Sequence, residues 1–177
     1  MNRKFFALLL TLLMVLALVP ASAYADTSKN SGKEIAVLFT NDVHCAVDKN
    51  LGYQSVALAK ETLEAQGKDV LLVDVGDAVQ GDAIGTLSKG EYIIKIMNEL
   101  GYDVATIGNH EFDYGMDQFK KLNRLADFPY VSANFMDKNG ETVLDAYSMQ
   151  NVHGVKIAFV GITTPKTITS STPAYFQ

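Results

Sequence analysis

Short apolar runs alternate with amphipathic stretches along most of this chain. The runs at 35–39 (IAVLF) and 70–73 (VLLV) have the length of strands, and their unbroken apolar character is typical of strands buried on both faces. Apolar residues at helical spacing lie between them. The pattern predicts helices at 54–66, 91–100 and 116–126, further strands at 103–107 and 130–133, and a hairpin of strands at 147–151 and 155–160.

The segment that ends before Gly101 shows the helical pattern most clearly. Apolar residues recur there at i, i+3, i+4 and i+7, namely Ile93, Ile96, Met97 and Leu100. Strands that alternate with helices imply a mostly parallel sheet with helices packed on it, so we expect an α/β protein. Ligands of such sheets collect beyond the carboxyl ends of the strands.

The start of the chain has the features of a secretory signal. Arg3 and Lys4 precede an apolar run at 5–19, and Ala23-Tyr24-Ala25 fits the small-x-small cleavage pattern. The run is short for a membrane span, which needs about 20 residues. We therefore expect a cleaved signal peptide, with an uncleaved anchor as the alternative, and no transmembrane span in the mature chain.

Cleavage after residue 25 would leave a flexible leader at 26–33 and a folded domain at 34–177, exported to the medium, the cell wall or a periplasm. Loss of Arg3 and Lys4 would change the formal net charge from −5 to −7. An acidic chain argues against binding of a nucleic-acid polymer, although an acidic pocket suits cations. With one cysteine, Cys45, the domain can form no internal disulfide, so its core alone must hold the fold.

Three successive predicted strands are each followed by acidic or histidine-bearing residues. The loops contain Thr-Asn-Asp-Val-His, Asp-Val-Gly-Asp and Gly-Asn-His-Glu-Phe-Asp in turn. If the three strands are neighbours, their carboxyl ends meet at one edge of the sheet. The side chains expected to converge there are Asp42, His44, Asp77, Asn109 and His110.

These residue types suit a pair of metal ions. Asp42 and His44, at i and i+2, can reach one ion from the same side of an extended segment. The carboxylate of Asp77 can bridge two cations about 3.5–4 Å apart, and Asn109 offers a neutral oxygen. Oxygen and nitrogen ligands without thiolate favour Mn, Zn, Fe or Co over Ca.

Taken singly, each of these residues also has an ordinary structural interpretation. Asp77 follows a glycine and can cap a turn, Asn109 can occupy a left-handed turn, and His110 can be a surface residue. Their occurrence in order at three strand ends favours a shared site. There, Asp113 could orient the ring of His110, which could stabilise a transition state or protonate a leaving group.

Three stretches in this order carry a family resemblance: LFTNDVHC, LLVDVGDAVQGD and DVATIGNHEFDYG. They resemble the successive motifs of the calcineurin-like metallophosphoesterases. Two flanking stretches narrow the resemblance to the secreted 5′-nucleotidase family: IGTLSKGEYIIKIMNELGYD and VKIAFVGITTP. The resemblance covers residues 34–167 and implies an α/β/β/α sandwich, a fold that this sequence would leave incomplete at its carboxy-terminal end.

The resemblance also implies two divalent metal ions and assigns their ligands. Asp42 and His44 correspond to ligands of the first metal, Asp77 to the bridging carboxylate, and Asn109 to a ligand of the second metal. Members of the family hydrolyse nucleotides or other phosphate esters, which implies a nucleotide substrate. UDP-sugar hydrolysis and 2′,3′-cyclic phosphodiester hydrolysis occur in the same family and stay open as alternatives.

In the same family, His110 and Asp113 correspond to the catalytic His–Asp pair, whereas Glu111 is not usually assigned a ligand role. Two later histidines complete the second metal site in the family, and this chain has only His153 beyond His110. The sequence places His153 in a hairpin turn. We therefore expect an amino-terminal portion of an exported phosphoesterase that is inactive alone, with a non-catalytic metal-binding protein as the alternative.

Overall fold

The computed structural model describes residue 32 and residues 34–49 and 51–171. The predicted signal peptide at 1–25, most of the predicted leader and the last six residues lie outside the described residues. All the elements below belong to the unit formed from Lys33 onward.

Six strands account for the extended segments of the described residues. They are β1 (Ile35–Thr40), β2 (Asp69–Asp74), β3 (Val104–Thr106), β4 (Tyr130–Val131), β5 (Tyr147–Val152) and β6 (Val155–Val160). The helices are α1 (Tyr53–Ala65), α2 (Ala83–Ser88), α3 (Glu91–Leu100), α4 (Met116–Leu125) and α5 (Thr167–Ser170), with a 3₁₀ turn at His110–Phe112.

A four-stranded sheet in the order β1-β2-β3-β4 forms the centre of the fold, and all of its pairs are parallel. Its register places Leu38 beside Leu72 and Asp74 beside Ala105. Strands β5 and β6 pair antiparallel as a hairpin with its turn at residues 153 and 154, as predicted. The expected α/β fold with mostly parallel strands is confirmed.

Helices cover one face of the sheet and bury a core against it. Leu72 on β2 and Ala105 on β3 are fully buried there with Ile93 and Met97 of α3 and Phe119 of α4. The bounds of α3 agree with the helix that the sequence predicts at 91–100. Two short helices, α2 and α5, were not predicted because segments of six and four residues are too short to show helical periodicity.

The prediction that the first strand is buried on both faces is wrong. Val37 and Phe39 lie on the face away from the helices and are 47% and 70% exposed. Strand β1 is at the edge of the sheet, and no described residue covers this part of its outer face. An apolar run therefore identified the strand correctly but did not reveal how many of its faces are covered.

Candidate metal centre

The loops after β1, β2 and β3 lie side by side at the carboxyl edge of the sheet, because these strands are parallel neighbours. Backbone bonds join the first two loops directly. Asp42 N donates to Gly76 O at 3.1 Å, and His44 N donates to Asp77 O at 3.0 Å. The predicted convergence of the strand-end loops on one edge is confirmed.

Three potential metal ligands meet at this edge. His44, Asp77 and His110 each offer one ligand atom, and these atoms all lie within 4.8 Å of one another. The two imidazole rings meet edge to face with centroids 5.0 Å apart. Two imidazole nitrogens and one carboxylate oxygen at this spacing fit a divalent transition metal. These residues therefore suit the divalent metal ion that the sequence implies.

A second carboxylate borders this cluster. Asp42 Oδ1 lies 3.8 Å from His44 Nε2, and the amide of Asn41 donates to the same carboxylate. Burial raises the pKa of Asp77, the N–H of His110 opposes that rise, and the neighbouring Asp42 carboxyl adds to it. Two carboxyls held this close repel each other, and a bound cation would relieve that repulsion.

Both imidazoles are oriented through their Nδ1 atoms. His44 Nδ1 donates to Gln80 O at 3.1 Å, and His110 Nδ1 donates to Asp113 Oδ2 at 2.6 Å. Because each Nδ1 carries a proton, each Nε2 is left available as a ligand or for proton transfer. Partial burial opposes protonation, but the hydrogen bond and charge of Asp113 outweigh it and raise the pKa of His110.

The backbone at these ligands is unusual. The backbone φ angles of Asp42, His44 and Asp77 are 54°, 48° and 59°. These values lie in the left-handed region, which residues other than glycine seldom adopt. Such conformations cost of order 1–3 kcal/mol each and concentrate at functional sites. The loop-to-loop backbone bonds hold these residues in place and offset that cost.

Two residues of the predicted site also contact the end of the described chain. The side-chain amide nitrogen of Asn109 donates to Ser170 O of α5 at 3.4 Å. The second oxygen of Asp113 accepts a hydrogen bond from the Ser171 hydroxyl at 3.1 Å. The structure thus brings Asp42, His44, Asp77, His110 and Asp113 together, with Asn109 beside them.

His153 lies in the hairpin turn, as the sequence predicts. Its Nε2 is 3.0 Å from Asp69 Oδ2 at the start of β2, which is the end of that strand opposite to the ligand loops. This histidine therefore has no part in the cluster.

Sequence reasoning missed one residue that the structure makes prominent. Glu111 is 1% exposed. Its carboxylate accepts three hydrogen bonds from backbone N–H groups, two in the loop after β2 and one in the loop after β3. Burial raises its pKa, and the three bonds oppose that rise. The sequence carried no signal for this role, because two of the three donors, Asp77 N and Ala78 N, belong to another loop.

A parallel α/β sheet with imidazole and carboxylate side chains at its carboxyl edge is an arrangement suited to a metal-dependent enzyme domain. The chain belongs to the calcineurin-like phosphoesterase family, which matches residues 35–172. Members of this family are phosphoric ester hydrolases that use divalent metals.

Individual relatives agree with this assignment. The chain is 36% identical over 151 residues to a 5′-nucleotidase of Vibrio vulnificus, covering 80% of this chain and 27% of that protein. It is 35% identical over 159 residues to a snake venom 5′-nucleotidase of Gloydius brevicauda, covering 79% and 27%. The chain therefore spans less than a third of the length of these relatives.

The fold is also similar to a solved structure, the NAD nucleotidase of Haemophilus influenzae. The TM-score is 0.68 at 29% identity, and the similarity covers 78% of this chain and 28% of the other. Within the described part of the chain, no helix has the length and apolar character needed to cross a membrane.

Proposed function

We propose that this chain provides a divalent-metal site for the hydrolysis of nucleotide phosphate esters, of the 5′-nucleotidase type. The observation that carries the proposal is the cluster of His44, Asp77 and His110, whose ligand atoms lie within 4.8 Å of one another. Both imidazoles are already oriented by hydrogen bonds at Nδ1, so little rearrangement is needed to accept an ion.

The proposed ligands follow the order of the loops. Asp42 and His44 would hold a first ion, Asp77 would bridge to a second, and Asn109 would ligate the second through its amide oxygen, since its amide nitrogen is the atom that bonds Ser170 O. Bound divalent ions would polarise the phosphoryl group and supply the attacking nucleophile. Mixed nitrogen and oxygen ligands favour Mn, Zn, Fe or Co over Ca as these ions.

His110 and Asp113 form the proposed proton-transfer pair. Asp113 accepts from Nδ1 and stabilises the charged imidazolium, which explains the raised pKa of His110. The charged ring could donate from Nε2 to the oxygen of the leaving nucleoside. The second hydrogen bond to Asp113, from Ser171, fixes the carboxylate that orients the ring.

The names of the relatives support a nucleotide substrate. The Vibrio and Gloydius proteins are both 5′-nucleotidases, and the Haemophilus protein is an NAD nucleotidase. Export is part of the same proposal and rests on the basic and apolar residues that precede Asp26.

The first test is metal binding by residues 26–177, the predicted mature chain. We expect Mn²⁺ to bind in calorimetric titration, and Asp77→Asn to weaken binding by at least about tenfold. Asp69→Asn is the matched control, because Asp69 is at the other end of β2 beside His153. The absence of Mn²⁺ binding, or equal loss in both variants, would refute the proposed site.

Ion stoichiometry then distinguishes an enzyme from a non-catalytic metal-binding protein, and phosphate release from 5′-AMP tests whether the site is complete. Since the two later histidines of the family are absent, we expect little release by residues 26–177 alone. Binding of two ions per chain supports the catalytic proposal, whereas one ion supports the non-catalytic alternative. Release that Asp77→Asn abolishes would show that the site is complete without further ligands.

A further inference from the structure

Glu111 is a buried carboxylate that accepts hydrogen bonds from the backbone of the loops after β2 and β3. It lies in the 3₁₀ turn at His110–Phe112 and is 1% exposed. Its Oε2 accepts from Asp77 N at 2.9 Å and from Gly108 N at 2.7 Å, and its Oε1 accepts from Ala78 N at 3.0 Å. One side chain thus binds the loop after β2 and the loop after β3 together.

A second carboxylate makes the reverse connection. Asp77 Oδ1 accepts from His110 N at 2.7 Å. Glu111, on the loop after β3, therefore holds the backbone of Asp77, while Asp77, on the loop after β2, holds the backbone of His110. The two loops that carry these potential ligands are joined reciprocally, and neither can shift without breaking a bond that involves a buried carboxylate.

The two loops also touch at two glycines. A Cβ on Gly108 would collide with the Asp77 carboxylate, and a Cβ on Gly76 would collide with the Gly108 backbone. Gly76 has a φ of 104°, which a larger residue would adopt only under strain. The loops are therefore packed so closely that neither glycine leaves room for a side chain, and the bonds to Glu111 join them at that distance.

The bonds to Glu111 reach the backbone of Asp77 and do not involve its carboxylate oxygens. Asp77 has a left-handed φ of 59°, and its N–H and that of Ala78 are the two donors that Glu111 holds on this loop. The direction in which the Asp77 carboxylate points follows from that backbone conformation. Groups outside the ligand set that orient ligands typically change metal affinity by 10- to 100-fold when removed.

We propose that Glu111 is a positioning residue that sets where the Asp77 carboxylate lies relative to His110 and thereby the affinity of the site for divalent metal. The inference rests on the proposed metal centre and adds to it a residue that contacts neither metal nor substrate. Its role is to hold two loops at a fixed distance, which is different from general stabilisation of the fold.

The test compares Glu111→Gln with Asn98→Ala in residues 26–177. Glutamine keeps the size of the side chain but replaces one acceptor oxygen by an amide donor, which cannot accept an N–H bond. Asn98 bonds Leu125 O and Asp127 N, both at 2.9 Å and both outside the ligand loops. Asn98→Ala therefore removes side-chain bonds to the backbone without disturbing the site.

We expect both variants to lower Tm, and only Glu111→Gln to weaken Mn²⁺ binding, by about 10- to 100-fold at a temperature where both are folded. The visible absorption spectrum of bound Co²⁺ gives a second readout, because it reports ligand geometry. We expect it to change in Glu111→Gln and to match the wild type in Asn98→Ala. If Glu111→Gln does not fold, Glu111→Asp, which keeps both oxygens on a shorter stem, takes its place with the same expectation.

The possible failures are distinct. If the wild type binds Mn²⁺ and the Glu111 variant binds it equally well with an unchanged Co²⁺ spectrum, Glu111 is only structural and the inference is wrong. If the wild type binds no Mn²⁺, the proposed metal centre itself fails, and the positioning role fails with it.

Discussion

The two faces of the central sheet differ sharply in how they are covered. On the helix-covered face, Leu72 is fully buried. On the outer face, the row Phe39, Val73 and Val104 runs from β1 to β3, and exposure falls from 70% at Phe39 to 1% at Val104. The outer face is thus covered near β3 and open at β1.

This difference shows that the apolar character of the side chains does not by itself identify which face of the sheet contributes to stability. Both faces are apolar, but only contact with other elements removes a side chain from water and contributes hydrophobic free energy. The stability of the described domain should therefore depend on the helix-covered face and on the covered part of the outer face. It should depend little on the exposed side chains on the outer face of β1.

The largest effect is expected from Leu72→Ala on the helix-covered face. Removing a fully buried leucine side chain leaves a cavity and costs about 2–5 kcal/mol of the free energy of unfolding. Urea denaturation of the variant and the wild type measures the loss. A loss below about 1 kcal/mol would mean that this face contributes less than its burial indicates.

A somewhat smaller effect is expected from Gly161→Ala on the covered part of the outer face. A Cβ at Gly161 would collide with Val131 O of β4, where Ala133 N also donates to Gly161 O at 2.8 Å. Overpacking of this kind typically costs about 1–3 kcal/mol. Urea denaturation measures it, and an unaffected variant would show that the chain after β6 is not held against β4.

Asp74→Asn tests a polar group on the helix-covered face. Asp74 is 1% exposed and bonds the Thr40 hydroxyl and Gly76 N. Burial raises its pKa to about 8, compared with about 4 in an unfolded chain. Between these two pKa values the folded state binds more protons than the unfolded state. Asp74 therefore makes the free energy of unfolding fall as pH rises from about 4 to about 8.

Asparagine does not titrate, so we expect Asp74→Asn to gain stability relative to the wild type across that window. Urea denaturation of both proteins at about pH 5 and about pH 8 gives the difference. Parallel curves for the two proteins would show that Asp74 stays ionised in the folded state.

The smallest effect is expected from Phe39→Thr on the open part of the outer face. The side chain is 70% exposed, so its replacement should change the free energy of unfolding by no more than about 0.5 kcal/mol. Threonine is β-branched and, like phenylalanine, is suited to a strand. A loss above about 2 kcal/mol would show that something buries this face in solution.

The candidate site was more predictable than the faces of the sheet. Residue types at three strand ends, with the rule that such ends meet at one edge, were enough to bring His44, Asp77 and His110 together. The burial of Glu111 was not predictable, because it depends on N–H groups of Asp77 and Ala78, more than 30 positions away in the chain.

What the sequence determined by itself is local: which segments form strands and long helices, and which side chains follow each strand. Periodicity carries this information because helices and strands repeat over a few residues. The tertiary structure alone decided the strand order, the left-handed backbone at Asp42, His44 and Asp77, and the coverage of each face. These depend on contacts between distant segments, whose free energies appear only when the whole chain is packed.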